Sequence, residues 1–319
     1  MRFRCAILDD FQNVASTYAD WSTLGDRVEV VSFTEHFATE DELAAALADF
    51  DFVVTLRERV PFPASLLSRL SRLKLLIASG MRNSVIDYAA AQAAGVTVCG
   101  TQSSSTPPLE LTWALLLGLA RGIVQENNAL RDGGPWQSTV GADLDDRALG
   151  LLGLGKIGSR VAQVGLAFGM KVTAWSQNLT EERADEVGVG LASSKEELLA
   201  NSDFVSVHLA LGDRTRGLIG APELALLKPT AYLINTSRAA IVDQDALLAA
   251  LHEGRIAGAG VDVFDVEPLP DDHPMRTAPR LLATPHLGYV SHANYERYYG
   301  QAVEDIQAYL DGTPIRVLG

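Results

Sequence analysis

Residues 148–168, ALGLLGLGKIGSRVAQVGLAF, join an apolar strand-like run, a glycine-rich turn and the start of a helix. Gly153, Gly155 and Gly158 have the G-x-G-x-x-G spacing, and a second strand-like run follows at 171–176. The first glycine permits a tight turn, the second lets backbone approach a pyrophosphate, and the third lets the helix pack closely on the strand. Helix amides and the helix dipole then bind the phosphates. The stretch predicts a dinucleotide-binding domain; the alternative is a strand-to-helix turn whose glycines are incidental.

On both sides of this stretch, strand-like and helix-like segments alternate, which predicts parallel sheets covered by helices. The runs are continuously apolar, as expected for sheets buried on both faces. The predicted strands before residue 101 are 4–10, 28–33, 51–56, 73–79 and 96–100, and those after it are 148–155, 171–176, 203–210, 231–237, 257–263 and 280–285.

Two long helical segments bracket the second series of strands. The first is apolar and runs from about Pro108 through residue 133, and the second starts near Ser291. The predicted fold is α/β, with two Rossmann-like doubly wound parallel-sheet domains. A nucleotide-binding domain, 102–290, is inserted in a flavodoxin-like substrate domain made of 1–101 plus 291–319.

Composition excludes several classes of protein. Lys and Arg number 26 against 40 Asp and Glu, giving a formal net charge of −14 that disfavours nucleic acid and anionic membranes as partners. Cys5 and Cys99 are the only cysteines, too few for a disulfide framework or a multi-cysteine metal site. The longest uncharged apolar block, 111–120, is too short to span a bilayer, which takes about 20 residues. We therefore expect a cytoplasmic protein without a metal.

Five ordered motifs resemble those of the D-isomer-specific 2-hydroxyacid dehydrogenase family. They are the glycine loop at 153–158 and the stretches VSVHLALGDRTRGLIG, AYLINTSRAAIVDQDALLAAL, AGAGVDVFDVEP and TPHLGY. The resemblance covers essentially the whole chain. It implies an enzyme that interconverts a D-2-hydroxy acid and a 2-oxo acid with NAD or NADP. Within the family, the chain is similar to a glyoxylate/hydroxypyruvate reductase or a short-form phosphoglycerate dehydrogenase.

The resemblance also implies three catalytic residues: Arg238 in NTSRAAIVD, Glu267 in DVFDVEP and His286 in TPHLGY. Their residue types suit the chemistry. A guanidinium can hold the substrate carboxylate and polarise its ketone through paired donors. A histidine can give a proton to the ketone oxygen in one direction and remove it in the other. A carboxylate on the other ring nitrogen would fix the tautomer and favour the charged ring.

Contacts with the dinucleotide follow from the same resemblance. Thr112 is expected near the pyrophosphate and Thr215 near the ribose or phosphates, while Thr236 and Asp262 are expected near the nicotinamide, where Asp262 would accept from the carboxamide. We expect His208 to line the cofactor cleft rather than to donate a proton. The full predicted cofactor set is Thr112, Gly153, Gly155, Lys156, Ile157, Gly158, Ser176, Gln177, His208, Thr215, Thr236, Asp262, His286 and Gly288.

The residues that would select between NAD and NADP give a mixed signal. An acidic residue after the second strand of such a domain bonds the ribose 2′-hydroxyl, and an arginine there accommodates a 2′-phosphate. Ser176, Gln177 and Asn178 occupy this position, and the nearest cation is Arg183. We therefore expect only modest discrimination between the two cofactors.

The first domain is expected to supply the rest of the substrate pocket through SGMRNSVID, residues 79–87, which we call the substrate loop. In the family, backbone amides of this loop bind the substrate carboxylate. The predicted substrate-binding residues are Gly80, Met81, Arg82 and Arg57. The two arginines indicate a second anionic group on the substrate; the alternative is that both are surface residues.

Two further expectations depend on the resemblance. The family forms two-fold dimers, so we expect a homodimer in which the arm at 133–144, GGPWQSTVGADL, packs across. The alternative function is a non-catalytic binding protein that senses a dinucleotide on the same fold. Retention of Arg238, Glu267 and His286 counts against that alternative, because a sensor needs no proton donor.

Overall fold

The computed structural model describes residues 2–319, which form two compact units. Unit 1 comprises the chain up to Ser104 together with Val290–Gly319, and unit 2 comprises Ser105–Tyr289. The boundaries expected from the sequence, 101/102 and 290/291, differ from these by three residues and by one.

Unit 1 is built on five parallel strands in the order β2-β1-β3-β4-β5. This order is that of flavodoxin-like sheets. The strands are β1 (Phe3–Ile7), β2 (Val28–Ser32), β3 (Phe52–Thr55), β4 (Leu75–Ala78) and β5 (Thr97–Gly100). The helices are α1 (Ala15–Tyr18), α2 (Glu40–Leu47), α3 (Ala64–Leu67), α4 (Tyr88–Ala93) and the long α12 (His292–Leu310), with a 3₁₀ segment at Trp21–Arg27.

Unit 2 is built on seven parallel strands in the order β12-β11-β10-β9-β6-β7-β8. The strands are β6 (Ala148–Leu152), β7 (Lys171–Trp175), β8 (Gly190–Leu191), β9 (Phe204–Val207), β10 (Tyr232–Asn235), β11 (Gly258–Val261) and β12 (Leu281–Ala283). The helices are α5 (Thr106–Ala120), α6 (Ile123–Arg131), α7 (Lys156–Ala167), α8 (Glu181–Val187), α9 (Lys195–Asn201), α10 (Ala221–Leu226) and α11 (Gln244–His252), with 3₁₀ segments at Ala239–Ile241 and Pro274–Arg276.

Successive residues of the unit 2 strands enter different cores, as expected because side chains alternate between the two faces of a strand. Leu151 and Ile234 pack in the cluster that contains α5 and α7, whereas their neighbours Leu152 and Leu233 pack in the cluster that contains α9 and α11. Both faces of the sheet are therefore buried under helices. The predicted α/β class with doubly wound parallel sheets is confirmed.

The apolar helix expected from Pro108 through residue 133 is instead two helices, so that expectation was wrong. Gly122 has φ +59°, which is a left-handed conformation, and it separates α5 from α6. Glycine adopts this conformation without the steric cost that a Cβ would add. The sequence also did not predict β8, whose two residues are too few to show a pattern.

Two observations concern membrane-spanning helices and metal sites. Within residues 2–319, no helix has both the length and the apolar character needed to cross a membrane. The same residues contain no group of three or more His, Cys, Asp or Glu side chains that could hold a metal ion.

Candidate active site

Most predicted site residues of unit 2 follow the carboxyl ends of its strands, whereas Thr112 lies in α5. Neighbouring parallel strands bring these ends to one edge of the sheet, where open α/β sheets bind their ligands. In sheet order, this edge carries His286 after β12, Glu267 after β11, Arg238 after β10 and His208 after β9. The glycine loop follows β6, beside them.

The glycine loop has the shape of a phosphate cradle. Gly153 has φ +104°, and a Cβ added to it would lie 2.8 Å from the His208 carbonyl oxygen, so only glycine fits there. Gly158 is similar, because a Cβ would collide with the Gly153 carbonyl oxygen. Gly155 directly precedes α7 and has open space within 4 Å of where its Cβ would be. The residues present thus fit a dinucleotide, with Lys156 and Ile157 supplying first-turn amides.

His286 and Glu267 form a hydrogen-bonded pair. The Nδ1 atom of His286 lies 2.6 Å from Glu267 Oε2, and both side chains are mostly buried. The backbone amide of Phe264 donates to the other carboxylate oxygen of Glu267 at 2.9 Å. The carboxylate therefore holds Nδ1 of His286, which leaves Nε2 as the ring atom that can meet a ligand.

Asp262 holds the turn that presents His286. Its carboxylate is fully buried and accepts hydrogen bonds from the Thr284 hydroxyl at 2.6 Å and from the amides of Leu287 and Gly288 at 2.7 Å each. Burial raises the pKa of Asp262, and the hydrogen bonds act in the opposite direction. The structure thus shows a positioning role that the sequence did not predict, and the expected contact with a carboxamide stays a prediction.

Arg238 begins the turn after β10. The side-chain amide of Asn235 donates to the Arg238 carbonyl at 3.0 Å, and the Arg238 guanidinium donates to the Ser237 carbonyl at 2.8 Å. Ser237 is fixed in turn by a hydrogen bond from its hydroxyl to the Leu209 carbonyl. The backbone that carries the guanidinium is therefore tied to the end of β10 and to the segment that follows β9.

The surroundings of His208 favour its neutral form. Its Nε2 lies 2.8 Å from the fully buried Ser206 hydroxyl, and burial lowers the pKa of His208 to about 4. A neutral ring at this place fits the expectation that His208 lines the cleft and does not donate a proton.

The predicted threonine and serine residues have different surroundings. Thr112 is fully buried, and its hydroxyl donates to the Pro108 carbonyl and lies 2.7 Å from the Thr236 hydroxyl, so its expected contact with the pyrophosphate stays a prediction. Thr215 uses its hydroxyl to close its own turn, donating to the Ala210 carbonyl at 2.7 Å. Ser176 and Gln177 follow β7 with no carboxylate among residues 176–180.

Unit 1 presents the substrate loop at the carboxyl end of β4. Gly80 has φ +106°, and its amide donates to the Thr101 hydroxyl at 3.2 Å, so this amide is already occupied. The hydrogen bonds of residues 2–319 include none donated by the amides of Met81 or Arg82. Among the predicted residues Gly80, Met81 and Arg82, the last two therefore have amides left for an anion.

Arg57 lies against the same loop. Its backbone has φ +56°, held by a hydrogen bond from its amide to the Ser79 hydroxyl at 2.6 Å. A Cβ added to Gly80 would lie 2.5 Å from the Arg57 guanidinium, which places that cation directly beside Gly80. Arg82 is exposed, so of the two arginines only Arg57 is held at the loop by the fold.

Sequence reasoning missed four supporting residues. Thr284 and Tyr289 lie within the TPHLGY stretch; Thr284 bonds Asp262, and the Tyr289 ring meets the His286 ring edge-on at 5.5 Å. Ser79 and Thr101 support the substrate loop of unit 1. The motif itself was the available signal for the first two. The second two act across strands, and no local pattern marks them.

Comparison with known proteins agrees with this geometry. Residues 113–288 match the family described as D-isomer specific 2-hydroxyacid dehydrogenase, NAD binding domain. The chain is 39% identical over 256 residues to a glyoxylate reductase of Aeropyrum pernix, covering 77% of this chain and 76% of that protein. It is 36% identical to a D-3-phosphoglycerate dehydrogenase of Bacillus subtilis over 86% of this chain, but it spans only 52% of that longer protein.

Solved structures are also similar. A phosphoglycerate oxidoreductase of Vibrio cholerae o395 superimposes with a TM-score of 0.92 at 35% identity, covering 98% of this chain and all of that one.

Proposed function

Because the chain belongs to the D-isomer specific 2-hydroxyacid dehydrogenase family, we propose that it interconverts a small D-2-hydroxy acid and the matching 2-oxo acid, with His286 as acid and base. It is an oxidoreductase that uses NAD or NADP. The observation that carries the assignment of roles is the 2.6 Å pair of His286 and Glu267 at the sheet edge that also bears the glycine loop.

His286 handles the proton of the reaction at Nε2. In the direction of reduction, protonated Nε2 donates to the ketone oxygen of the 2-oxo acid; in the direction of oxidation, neutral Nε2 accepts the hydroxyl proton. Glu267 keeps Nδ1 occupied and stabilises the charged ring. Asp262 and the turn from Thr284 to Gly288 keep the imidazole in place throughout.

Arg238 binds the acid and polarises its ketone. A guanidinium offers planar paired donors that match a carboxylate and an adjacent carbonyl oxygen, and it stays charged at any working pH. The ties of residues 235–238 to the end of β10 and to the segment that follows β9 limit the movement of this backbone.

Unit 2 holds the dinucleotide, with the pyrophosphate on the amides of the glycine loop and the predicted residues Ser176, Gln177 and Thr236 along the rest of its length. The bound nicotinamide supplies or accepts the hydride. Because no carboxylate follows β7, we include use of both NADH and NADPH in the proposal.

Unit 1 contributes donors for the substrate carboxylate. The amides of Met81 and Arg82 have no other acceptor within residues 2–319, and the Arg57 guanidinium lies beside Gly80. We assign glyoxylate and hydroxypyruvate to the substrate class. A 2-oxo acid with a second anionic group is the second candidate, favoured by the position of Arg57.

A homodimer and a cytoplasmic location complete the proposal. Helix α6 has no buried residue, and Ile123, Leu130, Trp136 and Val140 expose between 54% and 100% of their surface. So much apolar surface on one helix and the arm that follows it is typical of a covered interface. Measuring the mass in solution of wild type and of Trp136→Glu tests the dimer.

The activity is tested with a panel of 2-oxo acids, following the absorbance of NADH and NADPH in separate assays. We expect oxidation of the dinucleotide with at least one small acid of the panel. A protein that binds the dinucleotide but oxidises it with none of the acids would instead be the non-catalytic sensor.

A further inference from the structure

The last residues of the chain extend the sheet of unit 1. We call residues 313–319 the tail segment. The amide of Gly100 donates to the Arg316 carbonyl at 2.9 Å, and the amide of Leu318 donates to the Val98 carbonyl at 2.8 Å. Cys99 and Val317 thereby form an antiparallel bridge. The tail segment therefore lies along β5, at the edge of the parallel sheet.

Arg316 anchors the tail segment to α12. Its Nε lies 2.9 Å from the carboxylate of the fully buried Asp305, and its two terminal nitrogens donate to Glu304 at 2.8 Å and to the Gln301 carbonyl at 2.9 Å. A planar guanidinium with three acceptors fixes both the position and the direction of the chain. The residues that follow Arg316 are thus delivered to a defined place.

The place that Leu318 reaches also adjoins the start of the substrate loop. A Cβ added to Gly100 would lie 2.7 Å from the Gly80 carbonyl oxygen and 2.8 Å from Cδ1 of Leu318. Gly100 is therefore the point at which the start of the substrate loop and the Leu318 side chain approach the same backbone. An outward movement of Leu318 would open space beside Gly100, the backbone that the start of the loop approaches.

The rest of the loop meets the tail segment through Tyr88. Residues 81–84, Tyr88, Leu318 and Gly319 line a cavity of about 320 Å³. The Tyr88 hydroxyl accepts from the Asn83 amide at 3.2 Å and donates to the Asn83 carbonyl at 3.1 Å. Asn83 in turn donates through its side chain to the Arg57 carbonyl at 2.8 Å. The loop amides are exposed on one side and supported on the other by this network.

We propose that Leu318 is a positioning residue for the substrate loop, so that docking of the tail segment sets the affinity for the 2-oxo acid. The inference rests on the proposed function, in which the amides of Met81 and Arg82 bind the substrate carboxylate. Those amides make no hydrogen bond within residues 2–319, so their position depends on the neighbours that surround the loop, and Leu318 lines the same pocket as Met81 and Arg82. Displacements of about 1 Å can change rates by about 10²-fold.

The test compares Leu318→Ala with Val317→Ala, a neighbouring substitution in the tail segment whose side chain is 56% exposed. For Leu318→Ala we expect KM for the 2-oxo acid to rise about tenfold, with kcat changed less and the Kd of the dinucleotide unchanged. Amide hydrogen exchange should accelerate at residues 81–85. Leu318→Met should restore KM to near the wild-type value, and Val317→Ala should leave every quantity unchanged.

Tyr88→Phe serves as a second variant, since it keeps the ring and loses the bonds to Asn83. Leu318→Val replaces Leu318→Ala if the alanine variant does not fold. The inference is overturned if Tyr88→Phe raises KM while the Leu318 variant leaves KM within twofold of wild type. The loop would then matter for binding, but the tail segment would not position it. A Leu318 variant with a lower melting temperature but an unchanged KM would also overturn the inference. Failure of the proposed function is distinguishable, because the wild type would then reduce no 2-oxo acid.

Discussion

The polar groups at the two sheet edges are held in different ways. In unit 2, side chains hold side chains: Glu267 fixes His286, and the buried Asp262 fixes the turn that carries it. In unit 1, the proposed donors are the backbone amides of Met81 and Arg82, next to Gly80 with its left-handed backbone. Residue identity therefore determines function at the first edge, whereas backbone shape and packing determine it at the second. Substitutions should act accordingly.

The largest effect is expected for His286→Gln. Loss of the proton donor should reduce turnover by about 10²- to 10⁴-fold, the usual contribution of general acid–base catalysis. The Kd of the dinucleotide should stay near the wild-type value, since the glycine loop is untouched. Steady-state assays and fluorescence titration measure the two quantities, with the exposed His252→Gln on α11 as the matched control. More than a third of wild-type turnover, with chemistry shown to limit the rate, would contradict the role of His286.

Arg238→Lys should have the next largest effect. Lysine keeps the charge but loses the planar pair of donors, so kcat/KM for the 2-oxo acid should fall about 10- to 100-fold, through both KM and kcat. Arg147→Lys, at an exposed position before β6, is the control. A change confined to KM for the dinucleotide would place Arg238 in the cofactor site instead.

Cofactor choice should respond more weakly. With Ser176 and Gln177 after β7, we expect wild type to favour neither NADH nor NADPH by more than about a hundredfold, which is roughly one charged contact. Ser176→Asp should shift preference toward NADH by repelling the 2′-phosphate, and Gln177→Arg should shift it toward NADPH. The measurement is kcat/KM for both cofactors in all three proteins. Wild-type selectivity above a thousandfold would mean that other groups, such as Arg183, recognise the ribose.

The smallest effect concerns stability. The pKa of His208 is lowered to about 4 in the folded protein, while an unfolded histidine titrates near 6.5. Between these values the unfolded chain binds more protons, so His208 stabilises the fold above about pH 6.5 and this contribution is lost as the pH falls toward 4. Lowering the pH from 7.5 to 5 should therefore reduce the melting temperature of the His208→Asn variant less than that of wild type, by about a few degrees. Equal losses in the two proteins would show that His208 is solvated.

The difference between the two sheet edges also explains how much of the structure the sequence could predict. Apart from β8, the strands of both sheets and the glycine loop are local patterns, and they were located to within a few residues. The pairing of Glu267 with His286 was expected from two motifs 19 residues apart, and the hydrogen bond is present. The break at Gly122 was missed because an apolar helix pattern tolerates one glycine, and only its left-handed φ ends the helix.

The support of the substrate loop was beyond prediction for a different reason. Thr101, Tyr88 and Leu318 reach that loop from β5, α4 and the tail segment. Such contacts depend on the register of separate elements, which no spacing along the chain encodes. The occupied amide of Gly80 is one consequence, because the sequence alone placed Gly80 among the substrate donors.

At the sheet edge of unit 2, we propose, hydride is exchanged between the nicotinamide and the D-isomer of a 2-hydroxy acid. The most direct test supplies nicotinamide cofactor deuterated at its transferable position, with the fastest prochiral 2-oxo acid of the panel, and determines the label and configuration of the product. We predict the D-2-hydroxy acid with deuterium at carbon 2. A product without deuterium at that carbon, or of the L configuration, would contradict the account.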